Sequence, residues 1–483
     1  MFNLKLPPLI QTLLNPNTYL HPTQKVKLIQ TQMSFIFLTG DYAYKVKKPV
    51  NLGYLDYTTL EKRRFFCCQE LVLNRRLCPD VYLEVVPLVR HRGRISLGGE
   101  GKIIEYALKM RQLPLDCMMD TLLINNRVSA EMVGRVAHKL VEFHQQTESN
   151  EKISSYGKLN TILVNTEENF AQTEKYIGIS ISPEQYQSIK TYTDNFVQRN
   201  SLLFDERIKE GKIRDCHGDL HAAHVCFTNG ICIYDCIEFN DRFRYCDVAS
   251  EVAFLAMDLD HHGCPYLSKC FVDAYVEMSH DKGLLKLLDF YKCYRAYVRG
   301  KVESFRLDDP HIAEAEKREA LEAAKRYFNL ASSYAKVRPI LLITTGLVGT
   351  GKTTLSQAIA RSGELAVISS DVTRKRLANI PLTEHRFEEF DSGIYSQDFS
   401  KRTYDALFIE ARDTLLRGKS VIIDASFGKA EERKRAMQLA KGVGADFLIV
   451  ECRCSEEAVK QRLERRFEGD SVSDGRWEIF EAQ

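Results

Sequence analysis

Over the first hundred or so residues, apolar and polar positions alternate in short runs, a period of two that predicts strands. Phe35-Ile-Phe-Leu38 and Tyr42-Ala-Tyr-Lys-Val-Lys47 flank Thr39-Gly40-Asp41, which predicts an antiparallel hairpin. Thr58-Thr-Leu-Glu61 has the capping-box pattern and opens a helical stretch through Glu70 to Leu77, which Pro79 ends. Strand patterning returns in residues 81–86, and residues 103–107 are placed to pair with residues 94–97. From about residue 118 to 200 the apolar spacing changes to three and four, the period of amphipathic helices. Residues 212–250 break that texture with short apolar runs and a cluster of His and Asp. Helices resume from Val248 to about Ala335, and the Ala-, Glu- and Lys-rich residues 313–334 form the last of them. Past Arg338-Pro339 the pattern changes again. Ile340-Leu-Leu-Ile343, residues 365–370, Ser420-Val-Ile-Ile-Asp424 and residues 446–450 read as buried strands of an α/β sheet.

The patterning thus predicts two domains, residues 1–335 and 338–483. In the first, a small lobe of about residues 20–115 precedes a helical lobe of about residues 116–335. A length of 483 residues gives each a full hydrophobic core. Composition changes little, since 44% hydrophobic and 27% charged residues are ordinary for a soluble globular chain. A net charge of +2 gives no global case for nucleic acid or membrane surfaces. No apolar run is long enough to span a bilayer, and Pro7-Pro8 interrupts the stretch where an export signal needs a continuous apolar core. The 14 cysteines include no C-x-x-C pair, so reduced, mostly buried thiols in a cytoplasmic protein are expected.

The sharpest chemistry is Gly346-Leu-Val-Gly349-Thr350-Gly351-Lys352-Thr353-Thr354, directly after an apolar strand. Strand, glycine turn and helix in that order make a phosphate-binding loop, whose backbone N–H groups and helix N-terminus converge on an anion. Lys352 would reach the β- and γ-phosphates of ATP, and the Thr353 hydroxyl would ligate Mg²⁺. The next strand ends in Asp371 and the following one in Asp424. Ligands of open α/β sheets bind beyond the carboxyl ends of the strands, so both acids project toward the bound phosphates. Asp424 stands where a second metal-binding acid belongs. A later helix carries Arg462 and Arg466, suited to charge on a transferring phosphoryl group.

A second constellation is His217-Gly218-Asp219-Leu-His221-Ala-Ala-His224, followed by the strand residues 230–234 and Asp235. Phosphoryl transfer of the kinase type needs one carboxylate at the acceptor hydroxyl and another on the nucleotide's metal, and Asp219 and Asp235 fit those tasks. A zinc site at His221 and His224 competes with satisfied loop histidines, which are favoured because no third ligand is evident. Asp258 and Asp260, with Glu251, would line a pocket for a cationic acceptor, and a solvated helix face explains them equally well.

His217-Gly-Asp219-Leu-His221, Tyr234-Asp235-Cys-Ile-Glu-Phe-Asn240 and Asp247-Val-Ala resemble the aminoglycoside phosphotransferase-like branch of the protein-kinase-like fold. The region around Lys45-Val-Lys47-Lys48 resembles the N-lobe of the bacterial branch that is fused to a P-loop kinase. The resemblance implies an α+β two-lobed domain with ATP between its lobes, Asp219 as base and Asp235 as metal ligand. It also implies a strand lysine on the α/β-phosphates: Lys45, with Lys47 as same-face runner-up, paired to Glu70 or to the competing Glu61. The sequence departs from that family twice. His224 stands where Asn would ligate Mg²⁺, and Gln30-Thr-Gln-Met-Ser34 replaces a glycine-rich loop.

The C-terminal domain resembles the small P-loop kinases of the polynucleotide kinase, zeta toxin and gluconate kinase type. Asp371-Val-Thr-Arg374 matches their D-x-x-R, which implies Asp371 as base and Arg374 as a contact to acceptor or transferred phosphate. Arg462-x-x-x-Arg466 resembles their lid arginines. The sequence after the lid shows no fifth strand, so a shortened parallel sheet with one unpaired edge is expected. The function expected is transfer of the ATP γ-phosphate, with Mg²⁺, to the hydroxyl of a small-molecule acceptor at two candidate sites. The alternative is an ATP-binding regulator whose kinase-like domain senses a ligand. A nucleic-acid end kinase is a third reading, against which the near-neutral charge argues.

Overall fold

A computed structural model describes residues 6–228, 230–309, 312–335, 339–363, 365–382, 384, 392–466 and 476–482, the side chains of 465, 466, 481 and 482 excepted. The chain divides into two compact units, Met1–Lys336 and Val337–Gln483.

After a short helix, Pro8–Leu13, and before and after the first long helix, Leu60–Arg75, the first unit has six strands: β1 (Lys27–Gln30), β2 (Ser34–Leu38), β3 (Tyr42–Lys47), β4 (Tyr82–His91), β5 (Arg94–Leu97) and β6 (Lys102–Arg111). They form one antiparallel sheet in the order β1-β2-β3-β6-β4-β5. β3 and β6 are its centre, which is where Ala43, Tyr44, Val46, Ala107 and Leu108 are buried. The helix Leu60–Arg75 buries Arg63, Cys67, Glu70, Leu73 and Asn74, a stripe at three- and four-residue spacing. Its cap lies one residue later than the sequence pattern suggests. The Thr59 hydroxyl accepts from the Lys62 N–H, while Thr58 is held by Asp56.

The helical part follows, from Met119–Ile124 to Glu314–Tyr334. Its main core gathers Val133, Val136, Leu140, Val252, Leu255, Phe271 and Phe290, and a second gathers Phe254, Tyr297, Phe328 and Ala331. At its middle lies Val248–His261, whose residues 248–259 are all buried. The solvated-face reading of Glu251 and Asp258 is therefore overturned. Four short strands carry the polar loop: β7 (Ile213–Asp215), β8 (Val225–Phe227), β9 (Ile231–Ile233) and β10 (Tyr245–Asp247), paired β7 with β10 and β8 with β9. Cys78, just past the first long helix, is bonded to Cys232 of β9. That departs from the expectation of uniformly reduced thiols. Both sit in an apolar cluster with Val81, Tyr82, Leu108, Met118 and Cys226, which brings the helix end against β9.

The second unit is a sheet of β11 (Ile340–Thr345), β12 (Ala366–Ser369), β13 (Val421–Asp424) and β14 (Asp446–Glu451), all parallel, in the order β12-β13-β11-β14. The helices Gln397–Leu416 and Ala430–Val443 supply Leu407, Ala411, Leu415, Ala436 and Ala440 to its core. Among the described residues β14 pairs only with β11, and Leu448 and Ile449 on it are half exposed. Two architectures result: a two-lobed α+β unit and a four-stranded α/β unit.

Candidate active sites

In the first unit, β3 places Lys45 and Lys47 on one face, and the first long helix turns Glu70 toward both. Lys45 Nζ lies 2.7 Å from Glu70 Oε1 and 2.6 Å from Asp235 Oδ1. Lys47 Nζ lies 2.6 Å from Glu70 Oε2 and 2.5 Å from Glu238 Oε1. Glu61 takes no part in this cluster. Glu70 is fully buried, and buried charges persist only when paired. Burial alone would drive Lys45 toward neutrality, but Asp235 and Glu70 outweigh it and raise its pKa well above the ordinary lysine value. Burial opposes ionisation of Glu70 too, and the two lysines hold its pKa low.

Asp235, two residues past β9, has a left-handed backbone conformation, φ 63°. Only Gly, Asn and Asp tolerate that region readily, and a residue held there at a site is over-determined by its surroundings. Here the Asp235 N–H donates to the Tyr82 hydroxyl and the Cys236 N–H to Asn74 Oδ1. The preceding loop turns at Gly218, φ 88°, where a Cβ would lie 2.9 Å from the Phe243 carbonyl oxygen. Glu251 fastens this turn from beneath, accepting from the His217 and Gly218 N–H groups and sitting 2.9 Å from His144 Nε2. Burial pushes its pKa up, yet His144 and His217 hold it down at about 2. Asp258 accepts from the Ala222 N–H, and Asp260 pairs with Lys292. These acids are scaffold, not a cage for a cationic acceptor.

Asp219 and Asp235 both line a cavity of about 870 Å³. Between them stands His224, with Nδ1 2.9 Å from the Asp219 carbonyl oxygen and Nε2 3.6 Å from Asp235 Oδ2. Burial lowers the His224 pKa to about 4, so the ring is neutral at pH 7. Burial raises the pKa of Asp219, but His221 and His224 reverse this and hold the carboxyl ionised. For Asp235 burial is likewise outweighed, here by Lys45 and His224. The same cavity is walled by Thr31, Gln32, Met33 and Ser34 at the β1–β2 turn, where the sequence offers no glycine-rich loop. It is also lined by Tyr57, Glu238, Arg295 and Arg299, which the motifs did not single out. Only the alternation that puts Lys47 beside Lys45 hints at the Glu238 and Tyr57 partners.

In the second unit Gly346, Gly349 and Gly351 all adopt positive φ, so the loop curls as the motif requires. Lys352 Nζ lies 2.9 Å from the Gly346 carbonyl oxygen and 2.7 Å from that of Leu347. Asp424 is buried beside the Thr353 hydroxyl, and burial raises its pKa. Thr350, Thr353, Thr354, Asp371, Arg374 and Asp424 line a cavity of about 1220 Å³ with the loop. Arg374 is anchored at 2.5 Å to the Ile394 carbonyl oxygen and stacks on Tyr395, while its Nε is buried without a partner among the described residues. Arg462 brings its guanidinium to 3.3 Å from a Cβ built on Gly351. The Arg466 side chain lies outside the described residues. The oxygen donors of Thr353 and Asp424 suit Mg²⁺. The first site offers imidazole beside carboxylate, which does not suit Mg²⁺.

A family profile described as an AAA domain matches residues 341–483. The uncharacterized protein Rv2004c of Mycobacterium tuberculosis (strain ATCC 25618 / H37Rv) is 31% identical over 444 residues, 92% of this chain and 86% of that protein. The chain belongs to the family of that protein. An equally similar member is Mb2027c of Mycobacterium bovis. Among solved structures, an aminoglycoside phosphotransferase from Alicyclobacillus acidocaldarius covers 66% of this chain and 92% of its own length, at 12% identity and a TM-score of 0.36. The APS kinase of Mycobacterium tuberculosis covers 27% of this chain and 72% of its own length, at 22% identity and a TM-score of 0.22. Both scores are low, and both architectures rest on the strands and side chains described above.

Proposed function

We propose that the chain is an ATP-dependent phosphotransferase with two active sites, one in each unit, acting on hydroxyl groups of small-molecule acceptors in the cytoplasm. The observation that carries this reading is the convergence of Lys45, Asp219 and Asp235 on one cavity of the first unit, with Glu70 buried against Lys45. A fixed ammonium to grip phosphates and an ionised carboxylate to receive a hydroxyl proton are the two parts phosphoryl transfer most needs. Lys45, held by Glu70, binds the α/β-phosphates. Asp219 orients the acceptor hydroxyl and takes its proton as the new O–P bond forms. A strongly ionised carboxylate is a weak base, so it acts late, once the hydroxyl has become acidic by attack.

In the second unit the loop N–H groups and Lys352 hold the β- and γ-phosphates. Asp371 receives the acceptor proton, and Arg374, Arg462 and Arg466 meet the charge on the transferring group. Mg²⁺ at Thr353 and Asp424, when bound, neutralises phosphate charge. Asp235 and His224 are the metal-facing pair of the first unit. The deciding experiment incubates wild type, Asp219→Ala and Lys352→Ala with γ-labelled ATP and a metabolite extract. Two product sets are expected, each lost with one variant and reduced about a hundredfold or more. Wild type that transfers no label overturns the reading.

His224 beside the two aspartates favours a second reading, a nucleotide-dependent regulator whose kinase-like unit senses a ligand. It predicts ATP binding lost on Lys352→Ala and untouched by Asp219→Ala, with negligible transfer. The net charge of +2 weighs against an oligonucleotide acceptor.

A further inference from the structure

Two clusters of metal-ligating side chains stand out in the first unit. His144, Cys216 and Glu251 are close together and fully buried, but His144 is satisfied by Tyr275 and Glu251, and Glu251 by the backbone of the Gly218 turn. Asp219, His221 and His224 differ. Each offers a ligand atom within 4.8 Å of the others, and Asp219 of the cluster lines the cavity together with Asp235.

The decisive geometry is at His224. A carbonyl oxygen only accepts hydrogen bonds, so its contact with Nδ1 fixes the proton there and leaves the lone pair on Nε2. Nε2 lies 3.6 Å from Asp235 Oδ2, too far for a hydrogen bond. Two electron-rich atoms facing each other want a cation between them. Metal bonds of about 2.1 Å each span that gap at an angle of roughly 120°, close to the angles of a four-coordinate ion. The carbonyl that orients the ring is the outer partner metal-bound histidines ordinarily have. His221 lies against His224, tilted by 35° with ring centroids 3.9 Å apart, and its Nε2 lies 3.6 Å from Asp219 Oδ2. Lys45 occupies only Asp235 Oδ1, which leaves Oδ2 for the ion.

We propose that the kinase-like unit binds a divalent transition-metal cation, such as Co²⁺, Mn²⁺ or Zn²⁺, through His224 Nε2 and Asp235 Oδ2, with His221 and Asp219 close by. Imidazole nitrogen favours these ions over Mg²⁺, which holds to oxygen. The ion's use in phosphoryl transfer rests on the reading above, whereas its binding does not.

The test is a Co²⁺ titration of the full chain in excess Mg²⁺, followed by visible absorption. A single Co²⁺ that Mg²⁺ does not displace is expected, with the strong bands of low coordination number. His224→Asn should weaken it about tenfold or more, and Asp424→Asn, in the other unit, should leave it unchanged. Displacement by Mg²⁺, indifference to His224→Asn, or loss on Asp424→Asn overturns the proposal. Pulsed EPR of Mn²⁺ bound to wild type needs no variant. Nitrogen coupling supports the site and oxygen-only coordination overturns it. A chain that binds Co²⁺ in this way but transfers no phosphoryl group overturns the phosphotransferase reading alone.

Discussion

In the proposed reaction of the first unit, the chemistry turns on Asp219. Its backbone carbonyl orients His224, and its carboxylate lines the cavity, so Asp219→Asn keeps the shape and removes the base. Transfer by the first unit should fall about 10²- to 10⁴-fold in kcat, while nucleotide binding changes little; an unchanged rate in single-turnover assays would sink the assignment. Glu251 is the corresponding structural residue. Its folded carboxyl sits at about 2, below the ordinary 4.5, so between those values the unfolded chain binds more protons than the folded one. The stabilisation is complete above pH 4.5 and is lost as pH falls toward 2, on the order of 3 kcal/mol in all. Urea midpoints of wild type and Glu251→Gln should therefore converge on acidification. A gap that stays constant with pH would show that Glu251 is not held this way.

At the scale of elements, legibility followed the length and periodicity of the signal. The β2–β3 hairpin, the first long helix and the phosphate loop stand where alternation, capping and glycine spacing place them, because each is decided by neighbours in sequence. The cap of that helix shifted by one residue because Asp56, not visible in a capping-box pattern, claims Thr58. The acids of the helix Val248–His261 misled for another reason. Their partners, His144, the Gly218 turn and Ala222, are distant in sequence, and no local pattern reveals a polar side chain that serves as a backbone anchor. The Cys78–Cys232 bond was illegible likewise, its cysteines being 154 residues apart. The helix Glu456–Arg466 provides a prediction at this scale. It packs Val459 and Leu463 against the phosphate loop, and a Cβ on Gly349 would lie 2.8 Å from Val459 Cγ1 at φ 78°. Gly349→Ala should displace this helix and carry Arg462 away from Gly351. ATP affinity of the second unit, read by calorimetry with Lys45→Met as background, should drop about tenfold or more. Undiminished affinity would mean that the helix and the loop act separately.

For the whole molecule, each unit owns its core. The clusters around Val136, Tyr297 and Phe37 belong to the first unit, and that around Ile343 and Ile423 to the second. A chain ending at Lys336 should therefore fold cooperatively and keep the Asp219-dependent product. A fragment lacking a sharp thermal transition would refute that independence. Among the described residues no helix is long and apolar enough to cross a membrane.

Glu70 shared by two lysines has a consequence for how this unit tolerates change. Either ammonium alone keeps the buried carboxylate partnered, so the site carries a spare. Lys45→Met removes the proposed phosphate grip yet leaves Lys47 on Glu70, and Asp235 then loses its lysine at a partly exposed edge of the cavity rather than in the core. Such a variant should melt near wild type while losing transfer in the first unit. Glu70→Ala, in contrast, takes one of two carboxylates from both lysines at once, inside the core, and should lower the melting temperature more. Along a lineage, that asymmetry lets catalysis be abandoned without the fold being lost. A silent descendant of this enzyme would be recognised by a changed Lys45 beside an unchanged Glu70.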